Sequence, residues 1–214
     1  MKDFFLYIKS PDIPDYRKLK VSKLFKLLGF CIITSIILGI IIYGITDITG
    51  LERNKMFEKS KYLVIIGFLV IPFFEEVVWR LLLKPTKSNF FLAVGVLLIY
   101  IIIQLLRQKY YLCIMFTAYL LSLIVIRQFF KEHIKKIFIS HFKWFFWASC
   151  VFFGLIHAFN FKGNLVWIIT LAPLLGSPQI ISGSIIGYIR MNYGFIYGVI
   201  FHVLLNSTIL INLL

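Results

Sequence analysis

Of the 214 residues, 60% are hydrophobic and only 15% charged, and the mean hydropathy is +0.91, against roughly 45–50% apolar residues in an ordinary soluble domain. Such a chain is not a water-soluble globule. With 13 Gly, 6 Pro and charges confined to short clusters, it is not collagen-like, coiled-coil or disordered either, and its 23 Lys and Arg against 9 Asp and Glu lie between long apolar runs, where they set membrane topology and do not bind nucleic acid.

Residues 1–26 carry seven basic residues, three acids and two prolines, with a small apolar cluster of Phe4, Phe5, Leu6 and Tyr7. This reads as a cytoplasmic arm that lies on the lipid surface. The apolar run from Leu27 to Ile45 is longer than a signal-peptide core and ends in no small-residue cleavage site, so it is a retained first span. Further spans are expected at Tyr62 to Leu83, Phe90 to Leu106, Tyr110 to Ile126, Trp144 to Asn160 and Tyr193 to Leu214, each able to cross a core of roughly 30 Å at about 1.5 Å per residue. The stretch from Leu165 to Ile189 is broken by Pro173, Gly176, Pro178 and Gly183. It is one broken helix or, preferably, two short ones joined by Leu175 to Pro178, which gives an all-α bundle of about eight spans over residues 27–214. With eight spans, the arm and its side hold 14 basic residues and the other side eight, Arg190 among them. Both termini are then cytoplasmic, in what composition suggests is a bacterial membrane. Cys31, Cys113 and Cys150 fall inside apolar runs at no metal-like spacing and act as small hydrophobes.

Ionisable side chains in a span cost about 2.5–3.5 kcal/mol each on insertion scales, so the few present need a reason. They are Glu75, Glu76 and Arg80 in FFEEVVWRLLL, His157 in FFGLIHAFN, and His202, with Asn206, in FHVLLNST. Glu76 and Arg80, four apart, can pair along one helix face, while Glu75 points about 100° away and stays available. His202 and Asn206 also share a face and can offer two donors to one point, as a developing oxyanion requires; a plain helix-to-helix hydrogen bond is the simpler use of such a pair. Phe153 lies one turn before His157 and can wall a pocket. A carboxylate and an imidazole on one water can deprotonate it, leaving the second His and the Asn to hold the oxyanion.

The three motifs Glu75-Glu76-x-x-x-Arg80, Phe153-x-x-x-His157 and His202-x-x-x-Asn206, in this order on membrane helices from about residue 62 to the end, resemble the CAAX protease and bacteriocin-processing (CPBP, or Abi) family of glutamic intramembrane endopeptidases. The resemblance implies that Glu75 and His157 activate water, that His202 and Asn206 form the oxyanion hole, that Glu76, Arg80 and Phe153 support the site, and that no metal or other cofactor takes part. It also implies a peptide or protein substrate, for instance a C-terminal tail or a leader peptide. Two departures stand out. Leu81 follows the arginine where family members often have Gly, and Glu75 and His157 are 82 positions apart, with the spans Phe90 to Leu106 and Tyr110 to Ile126 between them. Other readings of the same residues are a zinc peptidase using Glu75, His157 and His202, disfavoured by the lack of H-E-x-x-H, and a bacteriocin self-immunity or scaffold protein that needs no hydrolysis. The Ile-, Lys-, Phe- and Asn-rich composition suits an AT-rich bacterial genome and makes prenylated proteins poor substrate candidates.

Overall fold

The computed structural model describes residues 1–53, 61–129 and 133–210. Lys55, Lys59, Lys131 and residues 211–214 of the expected last span lie outside them, as do the side chains of Lys61, Arg127 and Lys135. Among the described residues the chain forms helices α1 (Lys2–Lys9), α2 (Val21–Thr49), α3 (Lys61–Trp79), α4 (Lys87–Leu106), α5 (Tyr110–Phe129), α6 (His133–Ser140), α7 (Phe142–His157), α8 (Leu165–Thr170), α9 (Ala172–Leu175), α10 (Ser177–Tyr193) and α11 (Phe195–Leu210). Short 3-10 turns follow α3 at Leu81–Leu83 and α7 at Ala158–Asn160, and β1 (Glu52–Arg53) pairs antiparallel with β2 (Phe161–Lys162). The all-helical class expected from the sequence is therefore present.

Three helices, Val21–Thr49, Lys87–Leu106 and Phe142–Asn160, are long and apolar enough to cross a membrane. Tyr110–Val125 and Phe195–Ser207 are shorter apolar helices. On α2 the outward residues Ile36, Ile40, Tyr43 and Ile48 are exposed, an apolar surface suited to lipid and not to water.

The helix breakers sit where sequence rules put them. Gly50 ends α2 in the left-handed region at φ 66°, a conformation that costs glycine no Cβ clash. Thr86 caps α4 by accepting from the Asn89 amide, and Asn164 caps α8 by accepting from Val166, both the preferred N-terminal chemistry. Gly194, at φ 116°, turns the chain from α10 into α11.

Helix α10 is the centre of the fold. Its residues from Ser182 to Tyr193 are all buried, and it packs on α7, α11, α2 and α1. Small residues let α7 and α10 approach closely, as they do between membrane helices in general. A Cβ on Gly187 would stand 2.8 Å from the Phe146 ring, and one on Gly154 would overlap the Ile180 side chain and the Gly176 backbone. Gly154→Ala is therefore expected to destabilise the protein by about 1–3 kcal/mol, whereas Gly44→Ala, with nothing within 4 Å of its added methyl, leaves the melting temperature in detergent nearly unchanged.

Three expectations are corrected here. The stretch from Leu165 to Ile189 contains only one long helix. Helices α8 and α9 have six and four residues, about 9 and 6 Å at about 1.5 Å per residue, because Pro173, Gly176 and Pro178 end each helical run after a turn or so. Starting from the Arg190 end of α10, α11 runs away from the end of the bundle that holds the arm. Arg190 changes sides as well: its guanidinium meets Tyr16 of the arm. Finally, the arm does not simply lie on lipid. Phe4 and Tyr7 are buried against Phe146 and Tyr188, the Trp147 indole donates to the Ile8 carbonyl at 3.2 Å, and only Phe5 and Leu6 of the cluster face outward. The Lys23 ammonium, 2.9 Å from Asp3, ties α1 to α2 and holds the Asp3 carboxyl below its ordinary pKa by favouring the charged form.

The two helices that lengthen the gap between the first and second motifs form a hairpin, α4 and α5, on the outer flank of α3. Val77, Val78 and Leu81 pack there on Ala93, Leu97, Phe116 and Leu120. Tyr119 stacks on Trp79 and donates to the Val78 carbonyl at 3.3 Å. The insertion thus leaves α3, α7 and α11 free to converge.

Candidate active site

The successive glutamates of α3 meet different neighbours because about 100° of helix rotation separates them. Glu76 points inward, 1% exposed, and its Oε1 accepts from Arg80 Nη1 at 2.7 Å. The guanidinium lies flat over the Phe153 ring at 3.8 Å, a cation–π contact for which α10 makes room. A Cβ on Gly183 would stand 2.9 Å from Arg80 Nη2. This buried pair is the one its i,i+4 spacing indicates.

Oε1 of Glu76 has a second partner, which the sequence did not indicate. His202 of α11 donates to it from Nδ1 at 2.9 Å. The carboxylate can only accept, so its bond fixes Nδ1 as the protonated nitrogen and turns Nε2 toward the neighbouring glutamate. Glu75 then stands between two imidazoles, its Oε2 3.5 Å from His202 Nε2 and its Oε1 3.8 Å from His157 Nε2. His157 is fixed in the same way. Its Nδ1 donates to the Phe153 carbonyl one turn back at 2.6 Å, while the Phe153 ring packs on it at 4.6 Å and presents an edge to His202 at 5.9 Å.

Glu75, Glu76, Arg80, Phe153, His157 and His202 are thus brought together from three helices, as the motifs suggested. Asn206 follows one turn after His202 on the same face of α11, half-buried and without a hydrogen bond among the described residues. Tyr100 of α4 was missed by sequence reasoning. It is half-buried on the Phe116 ring, and its helix packs against α3. A tyrosine in an apolar span carries no periodic signal that separates it from core.

Among the described residues, Glu76 Oε2 and Arg80 Nε and Nη2 have no hydrogen-bond partner. A buried polar cluster that is only partly satisfied costs stability, and such clusters concentrate at functional sites. Glu75 Oε1 and the Nε2 of His157 that faces it are both acceptors, 3.8 Å apart, so a group that bonds both is a donor with two hydrogens lying to one side of the line between them. Among the described residues no three His, Cys, Asp or Glu side chains stand in an arrangement that could hold a metal ion.

Scanned against protein-family models, the chain matches none, and searches of curated proteins and of solved structures return no match.

Proposed function

We propose that the protein is an intramembrane peptidase of the glutamic type, similar to the CAAX protease and bacteriocin-processing family, in which Glu75 and His157 activate a water molecule. The observation that carries this reading is the Glu75 carboxylate flanked by the Nε2 atoms of His157 and His202 at 3.8 and 3.5 Å inside an otherwise apolar bundle. Separations beyond about 3.5 Å suit a bridging water more than a direct bond.

In this mechanism a water to one side of the Glu75–His157 line donates to both groups, and one of them takes its proton as the oxygen attacks a peptide carbonyl. Negative charge then develops on the carbonyl oxygen. The Asn206 side-chain amide and the His202 imidazole stabilise that charge, in a site where such bonds are worth more than in water. Glu76 is the acceptor that holds the His202 ring through Nδ1, a role parallel to the orienting one of the buried aspartate in a catalytic triad. The proton held by Glu75 or His157 passes to the leaving amine. Tyr100 and the α4–α5 hairpin wall the site on the α3 flank and bound the space for the peptide.

The path through the bilayer has seven crossings, α2, α3, α4, α5, α7, α10 and α11, with α1 and α6 at the arm end and α8, α9 and the β1–β2 pair at the other. This arrangement moves Arg190 to the arm side, which then holds fifteen basic residues against seven opposite, with Arg80 inside the bundle. The greater bias places the arm in the cytoplasm more firmly than eight crossings would. The substrate is a peptide or protein segment near the membrane surface, such as a leader peptide, and the reaction needs no metal.

The test is hydrolysis of a panel of quenched leader peptides and one prenyl-peptide by the detergent-purified protein, with and without a chelator. Asn206→Ala is expected to lower kcat by about 10²–10³-fold, the usual effect of removing one oxyanion donor, with KM little changed. A KM increase at constant kcat would give Asn206 a ground-state binding role instead, and chelator-sensitive cleavage would contradict the metal-independent mechanism.

A further inference from the structure

The two buried arginines of the bundle are treated differently. Arg80 has its carboxylate at 2.7 Å. Arg190, 3% exposed on the last turn of α10, has no ion pair among the described residues. Its Nη1 meets the Tyr16 hydroxyl at 2.5 Å, its guanidinium carbon lies 5.6 Å from the Phe195 ring, and its Nε has no hydrogen-bond partner among the described residues. Removing a charge from water without a counter-ion is strongly unfavourable, and neither a phenol nor a ring face replaces the missing anion.

A second cation stands against the same tyrosine. Lys84, just past the 3-10 turn that follows α3, places Nζ 3.6 Å from the centroid of the Tyr16 ring. Its one hydrogen bond is a long one to the Pro14 carbonyl at 3.4 Å. Tyr16 is thus flanked by an ammonium and a guanidinium, and among the described residues neither forms an ion pair with a carboxylate. Tyr16 is itself 53% exposed and Lys84 half-buried, so the tyrosine and the ammonium open to the arm end of the bundle, with Arg190 directly beneath the tyrosine hydroxyl. Arg17, whose amide donates to the Asn192 carbonyl at 2.7 Å, leads the chain from this point into α2, where Val21 and Phe25 face outward. Charge demand and an exposed apolar flank therefore occur side by side.

We propose that Arg190, Lys84 and the Tyr16 hydroxyl form a binding site for a phosphate group, supplied by the headgroup of an anionic lipid whose chains lie along Val21 and Phe25. The guanidinium offers planar, directional donors and the ammonium a point charge, the two modes by which proteins hold phosphate, and the arm end is the side on which a cytoplasmic leaflet presents anionic headgroups. By crossing this site, the segment between α1 and α2 is fixed to α10 and to the end of α3 at once. The proposal is independent of any hydrolysis at Glu75.

The experiment follows thermal unfolding of the full chain in neutral detergent during titration with dioctanoyl phosphatidylglycerol, dioctanoyl phosphatidylcholine or inorganic phosphate. The wild type is expected to show a saturable rise in melting temperature with phosphatidylglycerol and none with phosphatidylcholine. In Lys84→Gln the half-saturating concentration rises at least about ten-fold, as for a lost charge-assisted contact, while Lys162→Gln at the opposite end behaves as wild type. Arg190→Gln abolishes the response, and should that variant not fold, Lys84→Gln and Tyr16→Phe carry the test. A matching rise with inorganic phosphate alone would assign the same site to a soluble phosphate. Equal responses to the two lipids, no response to any of the three additions, or an unaltered half-saturation in Lys84→Gln would overturn the proposal.

Discussion

Glu75→Gln is expected to keep the helical bundle and to lose peptide hydrolysis by about 10³-fold, within the roughly 10²–10⁴-fold that a positioned general base contributes. The substitution preserves shape and hydrogen-bonding length but cannot take a proton. The bundle tolerates it because Glu75 is outside the buried Glu76–Arg80 pair and its side chain keeps 19% exposure. Circular dichroism and melting temperature report the fold, and single-turnover cleavage of the best peptide reports the chemistry. Equal activity in Glu75→Gln and wild type would remove the carboxylate from the mechanism.

Arg80→Ala is expected to have the largest effect on stability, about 3–5 kcal/mol, because it leaves Glu76 as an uncompensated buried charge. Phe153 loses the guanidinium over its face, and the space opposite Gly183 empties. Replacing both partners with apolar groups, Glu76→Leu with Arg80→Met, is expected to restore most of that stability, since a buried pair is often no better than hydrophobic residues of similar volume. The double variant should still be inactive. His202 has then lost the acceptor on Nδ1 that fixes its ring, so stability and chemistry separate in one protein. Thermal unfolding beside peptide cleavage checks both halves, and an active double variant would reduce Glu76 to a packing role.

The parts of this site that lie within one helix were legible in the sequence. Glu76 with Arg80, Phe153 with His157, and His202 with Asn206 are each four apart, and the helical period alone aligns them. The bond from His202 to Glu76 spans 126 positions. It depends on how α3 and α11 cross, which periodicity does not encode, so it had no sequence signal. Asn206 shows the reverse limit: a shared helix face places it beside His202, yet among the described residues it has no hydrogen bond to Glu75 or His157.

The fold was legible to a similar depth. Apolar length identified the helices, but composition alone made residues 165–176 look like part of a span. The backbone effects of Pro173, Gly176 and Pro178 outweigh that hydropathy and leave two short helices. Arg190 was assigned to the end opposite the arm because that assignment rests on a count of crossings, and its contact with Tyr16, 174 positions away, has no sequence signal. The arm was misjudged for another reason. Phe4 and Tyr7 form an amphipathic pattern that fits a lipid surface and a protein groove equally well, and the groove between Phe146 and Tyr188 exists only once α7 and α10 have packed.

The most direct test of direct water attack from Glu75 and His157 is a single-turnover reaction of wild-type protein with its best peptide in ¹⁸O-labelled water, analysed by mass spectrometry of products and of intact protein. One ¹⁸O atom in the new carboxyl terminus, with no peptide-sized addition to the protein at any time and no loss of rate in chelator, is the predicted result. A peptidyl adduct on the protein during turnover would mean a covalent intermediate and would contradict the account.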